Sequence, residues 1–270
     1  MLISSTQNPR IKQLLSLQQK SSERRRTGLF VVEGRRELQH CMEAGFEVET
    51  VFVCPAYGVI PLPPSLTVIE VSPPVYERIA YRGSTEGIVA EVRVRERALE
   101  SLPLSQSPLL MVVERVEKPG NLGAILRSAD AAHADAVVIC DPLTDLYNPN
   151  LIRASLGAVF SVPVVACTSE ACISFLRSHQ ISILTAQLQD SKPYYDTDMR
   201  RSTAIVMGTE STGLTQQWRE AADAHIRIPM LGQLDSLNVS VSAAILLFEA
   251  VRQRQQSDQR PSLEPNPITK

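Results

Sequence analysis

The sequence predicts a two-part α/β protein, and three observations lead there. From residue 109 onward, short continuous apolar runs alternate with helical segments, the pattern of a mainly parallel sheet buried on both faces. Before residue 99 lies a smaller set of strands and helices that is locally basic and broken by prolines. Between them the stretch 99–108, LESLPLSQSP, is rich in Ser, Pro and Leu and reads as a linker. The expected organisation is a small α/β unit over 1–98, a linker over 99–108 and a larger unit over 109–254. A polar, proline-rich tail over 255–270 is expected to be disordered.

In chain order, Asn8-Pro9 is a helix start signal, and Ile11, Leu14 and Leu15 form the apolar stripe that follows it. LFVVEG then reads as a strand, RRELQHCMEAG as a helix ending at Gly45, and TVFVCP as a second strand. Pro61, Pro63, Pro64, Pro73 and Pro74 interrupt regular structure before a further strand, Gly87 to Val92. In the larger unit the strand candidates are Leu109–Val113, Ala136–Cys140, Val162–Ala166, Ile181–Thr185, Thr203–Met207 and His225–Pro229. Helices lie between most of them, and a long apolar helix follows Asn238.

Composition narrows the class. The chain has 270 residues, 44% hydrophobic and 21% charged, which suits a globular protein. With a net charge of −2 it has no global attraction for nucleic acid, so any basic surface must be local. Residues 1–40 supply one: Arg10, Lys12, Lys20, Arg24, Arg25, Arg26, Arg35 and Arg36 face only Glu23, Glu33 and Glu37. The five cysteines are odd in number and contain no C-x-x-C pair, so reduced thiols and no metal site are expected. No apolar signal core and no apolar run near ~18 residues is present, which predicts a soluble cytoplasmic protein with no membrane partner.

Three segments have the residues for chemistry. After the strand LLMVV, Pro119-Gly120 makes a turn, Asn121 is expected to cap a helix, and Gly123 in its first turn admits another backbone or a ligand. Arg127 follows on the same face, where a guanidinium suits phosphate or developing negative charge. In the second segment, AIVMGTESTGL, a buried strand ends at Gly208 and Glu210 sits in a loop closed by Gly213. Loops at the carboxyl ends of parallel strands are where such sheets bind ligands. In the third, IRIPMLGQLDSLNVSVSA, the polar cluster Asp235, Ser236, Asn238 and Ser240 stands at the mouth of the long helix. Ser236 or Asn238 suffices to cap that helix, so the cluster exceeds what capping needs.

Taken in order, these segments resemble the SpoU (TrmH) family of SPOUT RNA 2′-O-ribose methyltransferases. N-x-G-x-x-x-R is met by Asn121, Gly123 and Arg127; G-x-E-x-x-G-L by Gly208, Glu210, Gly213 and Leu214; and I-P-M followed by S-L-N-V-S-V by Ile228 to Met230 and Ser236 to Val241. The stretch DLYNPNLIRASLGAV, with Asn148, Pro149, Arg153, Ser155 and Gly157, is similar to the family's intermediate segment. The N-terminal unit resembles the family's substrate-binding module, an α/β domain related to ribosomal RNA-binding proteins, through SSTQNPRIKQLL, FVVEGRREL and TEGIVAEV.

The resemblance implies a trefoil-knotted SPOUT domain, S-adenosylmethionine as cofactor, an RNA ribose 2′-hydroxyl as methyl acceptor and a homodimer. It implies catalytic roles for Arg127, Asn121, Glu210, Ser236 and Asn238, and a cofactor pocket at Gly208, Ile228, Met230, Leu237 and Asn238. Arg10, Lys12, Arg24, Arg25, Arg26, Arg35 and Arg153 become candidates for contact with RNA, ribosomal RNA before transfer RNA. Two rivals make different demands. A dinucleotide-binding enzyme would use Asp141 on a ribose, but G-x-G-x-x-G is absent, since only Gly120 and Gly123 are present. A non-enzymatic RNA-binding or ribosome-associated protein would keep the fold without catalysis, and the presence of Asn121, Arg127, Glu210, Ser236 and Asn238 together weighs against it.

Overall fold

The computed structural model describes residues 2–58, 61–81, 86–208 and 213–257. The N-terminal unit runs β1 (Leu2–Ile3), α1 (Pro9–Gln19), α2 (Ser21–Thr27), β2 (Leu29–Glu33), α3 (Arg35–Glu43), β3 (Val48–Val53), β4 (Val68–Val71), α4 (Pro73–Ile79) and β5 (Ile88–Arg93). Its sheet has the order β1-β4-β3-β5-β2, with β5 antiparallel to both neighbours. Strand alternation divides its side chains between two cores. Leu29 and Val31 face α1 and α4, whereas Phe30 and Val32 face the second unit. Both faces of this sheet are therefore covered, which is why LFVVE is apolar without alternation.

The second unit runs β6 (Leu109–Glu114), α5 (Pro119–Ala131), β7 (Ala136–Cys140), α6 (Pro149–Ala154), α7 (Ala158–Ser161), β8 (Val164–Cys167), α8 (Ser169–Ser178), β9 (Ser182–Ala186), β10 (Lys192–Pro193), β11 (Thr203–Met207), α9 (Gln216–Ala221), β12 (Ala224–Arg227) and α10 (Val239–Ser257). Its sheet, β10-β12-β9-β11-β6-β7-β8, is parallel at every described pairing. Met111 and Val113 pack under α5 and α10, while Leu110 and Val112 pack under α8 and α9. This is the three-layer arrangement that continuous apolar strands predict. No helix among the described residues is long and apolar enough to cross a membrane.

Two expectations need correction. The segment 99–108 is docked rather than loose: Leu99 and Leu102 are buried in the α8–α9 side of the core. Arg254 then fixes its end by donating to the carbonyls of Ser107 and Pro108. The last helix also continues to Ser257, past the expected start of the tail, because Arg254 and Gln253 anchor it to the carbonyls of Met199 and Thr197. Residues 258–270, the rest of the expected tail, lie outside the described residues.

The two units share one apolar core. Phe30 stacks on Tyr147 at 4.3 Å and on Phe160 at 5.9 Å, and Phe46 meets Phe160 edge-on at 5.2 Å. Beside this aromatic group, Arg24 reaches Asp145 at 2.6 Å, joining α2 to the loop before α6.

Candidate active site

Helix α5 starts one turn earlier than its sequence suggests. Pro119 occupies the first helical position, where its missing N–H costs nothing, and Lys118 stands at the N-cap with its carbonyl accepting from Asn121 and Leu122. Asn121 therefore lies inside the first turn and its side chain is spared from capping. Gly123 is likewise not open to a ligand. It is buried, and a Cβ there would lie 2.5 Å from the Ala154 Cβ and 2.8 Å from the Ser155 N. Of the two uses the sequence left open, this glycine serves the approach of another backbone, that of α6.

The third segment meets the first at Asn238. Its Oδ1 accepts from the Ser240 N–H at 2.9 Å and from the Ser240 hydroxyl at 2.6 Å, and its carbonyl accepts from the Ser242 N–H. Asn238 is thus the residue that caps α10, while its Nδ2 donates to Asn121 Oδ1 at 3.2 Å. One amide ties two helix starts together across 117 residues of sequence. Ser236, the other candidate cap, is exposed and donates to Asp235 Oδ1 at 3.3 Å instead.

A cleft of about 430 Å³ opens beside this junction, at the carboxyl ends of β9, β11 and β12. Gly208, Ile228, Met230, Leu237 and Asn238, all five expected cofactor residues, line it, as does Ser236. Gly208 is closed over by the returning chain: a Cβ at this position would sit 2.5 Å from the Leu214 N and 2.6 Å from the Gly213 carbonyl carbon. Gln187 and Leu188, just past β9, also line the cleft. The sequence reading missed both, although their place after a strand end was the available signal. Glu210 lies outside the described residues.

Arg127 is exposed on α5 and lines a different cleft, of about 500 Å³, together with Pro119, Gly120, Asn150 and Arg153. The structure therefore pairs Arg127 with Arg153, which the sequence had placed only among RNA contacts. Within one chain it does not bring Arg127 to the wall of the 430 Å³ cleft. Buried Glu114, at the end of β6, accepts from the Thr215 N–H at 2.9 Å and from its hydroxyl at 2.6 Å. This carboxylate, which the sequence reading also missed, fixes the foot of the chain that covers Gly208. Asp141, the ribose acid of the dinucleotide rival, accepts from the Ser169 hydroxyl at 2.6 Å and is part of the same internal network.

The expected RNA contacts divide. Arg10, Lys12, Arg25, Arg26 and Arg35 are exposed, Arg26 beside Glu23 and Arg35 against Glu86. Arg24 is a correction. It is 4% exposed, bonded to Asp145 and to the carbonyls of Leu17 and Gln18, and has no face left for a phosphate. Between the two units a cavity of about 880 Å³ adds Arg95 and Arg97 to Arg25. The run VRVRER at 92–97 was the overlooked sign of this basic edge.

Known proteins extend this picture. Residues 108–248 match the SpoU rRNA Methylase family, and residues 8–90 match the MRM3-like substrate binding domain. A 23S rRNA (guanosine(2553)-2′-O)-methyltransferase of Bacillus subtilis is 29% identical, over 91% of this chain and 97% of its own. A solved RNA 2′-O ribose methyltransferase is 40% identical and superposes with a TM-score of 0.80, over 94% of this chain and 99% of its own. An AdoMet-bound rRNA methyltransferase from Sinorhizobium meliloti is 27% identical and superposes at 0.85, over 93% and 97%. The family match takes in all three chemical segments and more than half of the sequence: the chain belongs to the SpoU family of methyltransferases.

Proposed function

We propose that this protein methylates a ribose 2′-hydroxyl in ribosomal RNA, using S-adenosylmethionine. The observation that carries the reading is the Asn238–Asn121 hydrogen bond, which joins the first and third motifs beside the strand-end cleft. The cleft fits the cofactor on its own terms. About 430 Å³ lies within the range of small-ligand sites, and the bare Gly208 beneath the Gly213–Leu214 main chain leaves backbone polar groups for an adenine edge. Ile228, Met230 and Leu237 supply apolar walls. The bound cofactor supplies a methyl group already activated by its sulfonium. What remains for the protein is alignment, which contributes about 7–11 kcal/mol in favourable cases, and control of the hydroxyl proton.

A guanidinium is a poor proton acceptor, so Arg127 serves as a clamp on the 2′-oxygen or its adjacent phosphate, and not as a base. Arg153, in the same cleft, holds neighbouring phosphate. Glu210 orients Arg127 or takes the proton, directly or through water. Asn121, Ser236 and Asn238 hold the ribose. The N-terminal unit binds RNA through Arg10, Lys12, Arg25, Arg26 and Arg35, with a local charge that a net of −2 conceals. A transfer RNA substrate is the second reading; the relative from Bacillus subtilis, named for 23S rRNA, favours the first.

A homodimer completes the site in this reading. Arg127 and the cofactor residues line separate clefts of one chain, and Leu231, Leu234, Val241 and Phe248 are exposed on the cleft loop and α10. A second copy covers these residues and brings its Arg127 to the cofactor. The C-terminal part of the second unit is threaded as a trefoil knot, a reading supported by the Gly213–Leu214 main chain lying against Gly208. Five unpaired cysteines suit a reducing cytoplasm.

Mapping 2′-O-methyl positions in ribosomal and transfer RNA from cells with and without the protein tests the substrate. A missing ribosomal methyl is expected; a missing transfer RNA methyl alone selects the second reading. Arg127→Ala should lower methyl transfer by about 10²–10³-fold while calorimetry shows unchanged cofactor affinity. Full activity in that variant removes the clamp. Phe248→Glu should yield monomers with little activity, and monomers that methylate at the normal rate remove the dimer requirement.

A further inference from the structure

Cys140, Cys167 and Cys172 follow no metal-binding spacing in sequence, yet their sulfur atoms all lie within 4.8 Å of one another. Cys140 ends β7 and Cys167 ends β8, and the two are register partners in adjacent parallel strands. Cys172 comes from the first turn of α8, which starts two residues after β8 ends. The convergence is thus a product of strand register, which no linear spacing reveals. All three thiols are unpaired; Cys140 and Cys172 are buried, and Cys167 is half-buried at the outer edge.

Three features make this group more than apolar packing. The sulfurs sit on two strands and a helix, so the ligands are already gathered and little ordering is needed. A tetrahedral zinc–thiolate site has sulfurs about 3.8 Å apart, given metal–sulfur bonds of about 2.3 Å, so the cluster needs to close by at most about 1 Å. The charge around it is also negative. Asp141 directly follows Cys140, and both Asp141 and Glu100 act on the Cys167 sulfur.

We propose that Cys140, Cys167 and Cys172 form a site for a soft divalent d¹⁰ cation of the zinc class, open to solvent at its fourth position beside Asp141. On binding, three metal–sulfur bonds form and the thiol protons pass to water, leaving a site of net charge −1 in place of three crowded thiols. The cation links the ends of β7 and β8 to α8. Ser169, the first residue of α8, accepts from Trp218 Nε1 at 3.0 Å and lies in the network of Glu114 and Thr215 that supports the chain over Gly208. Occupancy therefore stiffens the framework behind the cofactor cleft without entering it.

Reduced, metal-free protein titrated with Cd²⁺ tests this. A sulfur-to-cadmium charge-transfer band saturating at one equivalent is expected, with competition by Zn²⁺. At a hundredfold excess over the dissociation constant the melting temperature should rise by about 5–10 °C. Cys167→Ser, at the half-buried position, and Cys172→Ser should abolish both responses. Cys41→Ser and Cys54→Ser, in the N-terminal unit, should keep them. Absence of a saturable band in the folded wild-type protein overturns the proposal. So does a band that persists in Cys167→Ser, a variant whose folding is checked by circular dichroism.

Discussion

The strand-end cleft and the seam between the two sheets are both close-packed, but different atoms do the packing. In the cleft, main chain lies on main chain: Gly213 and Leu214 cover Gly208, and one asparagine amide holds two helix starts in place. At the seam, side chains fill the space: Phe30, Phe46, Tyr147 and Phe160 interlock, and Arg24 is bonded to Asp145. Backbone packing concentrates its demands on a few positions and leaves polar groups facing a ligand. Side-chain packing spreads its energy over many residues, so no single main-chain position decides it. Truncation at the seam should therefore reduce stability and spare chemistry, whereas substitutions in the cleft should weigh more on chemistry.

Phe160→Ala should show the largest effect. The ring is 1% exposed and touches both units, so its removal should cost about 3–5 kcal/mol in denaturant unfolding. Cofactor affinity of the folded variant should stay within about twofold; a parallel loss would mean that the two regions are one cooperative structure.

Next comes a pair of adjacent arginines. Arg24→Ala removes the partner of a largely buried carboxylate and should cost about 3 kcal/mol, the lower end for such pairs because Asp145 keeps 17% of its exposure. Arg25→Ala should change stability by less than about 0.5 kcal/mol yet weaken RNA binding and reduce its salt slope by about one. If Arg24→Ala leaves stability unchanged, the ion pair does not hold the seam.

That pair also marks how far the sequence could be read. Arg24, Arg25 and Arg26 look alike in a basic run, and the carboxylate that draws the first inward, Asp145, lies 121 residues away. Strands read well because apolar runs are local: Ala136–Cys140 and Thr203–Met207 have the expected limits, and the others shift by one or two residues. The start of α5 was legible in Pro119, whose place at a first helical position is stronger evidence than a capping asparagine two residues later. That Gly208, Ile228, Met230, Leu237 and Asn238 would meet at one cleft was legible because a motif fixes both identity and spacing. Arg127 was legible as a residue, but not as one that faces another cleft, since helix phase alone does not say what lies opposite.

Gly208→Ala should produce an intermediate effect in both measurements. The added methyl group meets main chain at 2.5 Å, which cannot rotate away as a side chain would. Overpacking of this kind costs about 1–3 kcal/mol, and the displaced loop should lower cofactor affinity by about tenfold or more. Unchanged affinity would show that the chain over Gly208 is not part of the binding wall.

Asn238 gives the smallest stability change and the sharpest separation. Asn238→Ala removes an N-cap and should cost about 1 kcal/mol. Asn238→Asp keeps an oxygen to accept from Ser240 but has no N–H to donate to Asn121 Oδ1. Its melting temperature should remain near wild type, since a carboxylate at a helix start is favoured by the dipole. Its methyl transfer should fall as far as that of the alanine variant. A stable and fully active Asn238→Asp would show that the bridge between the two motifs is incidental, and that only the cap matters at this position.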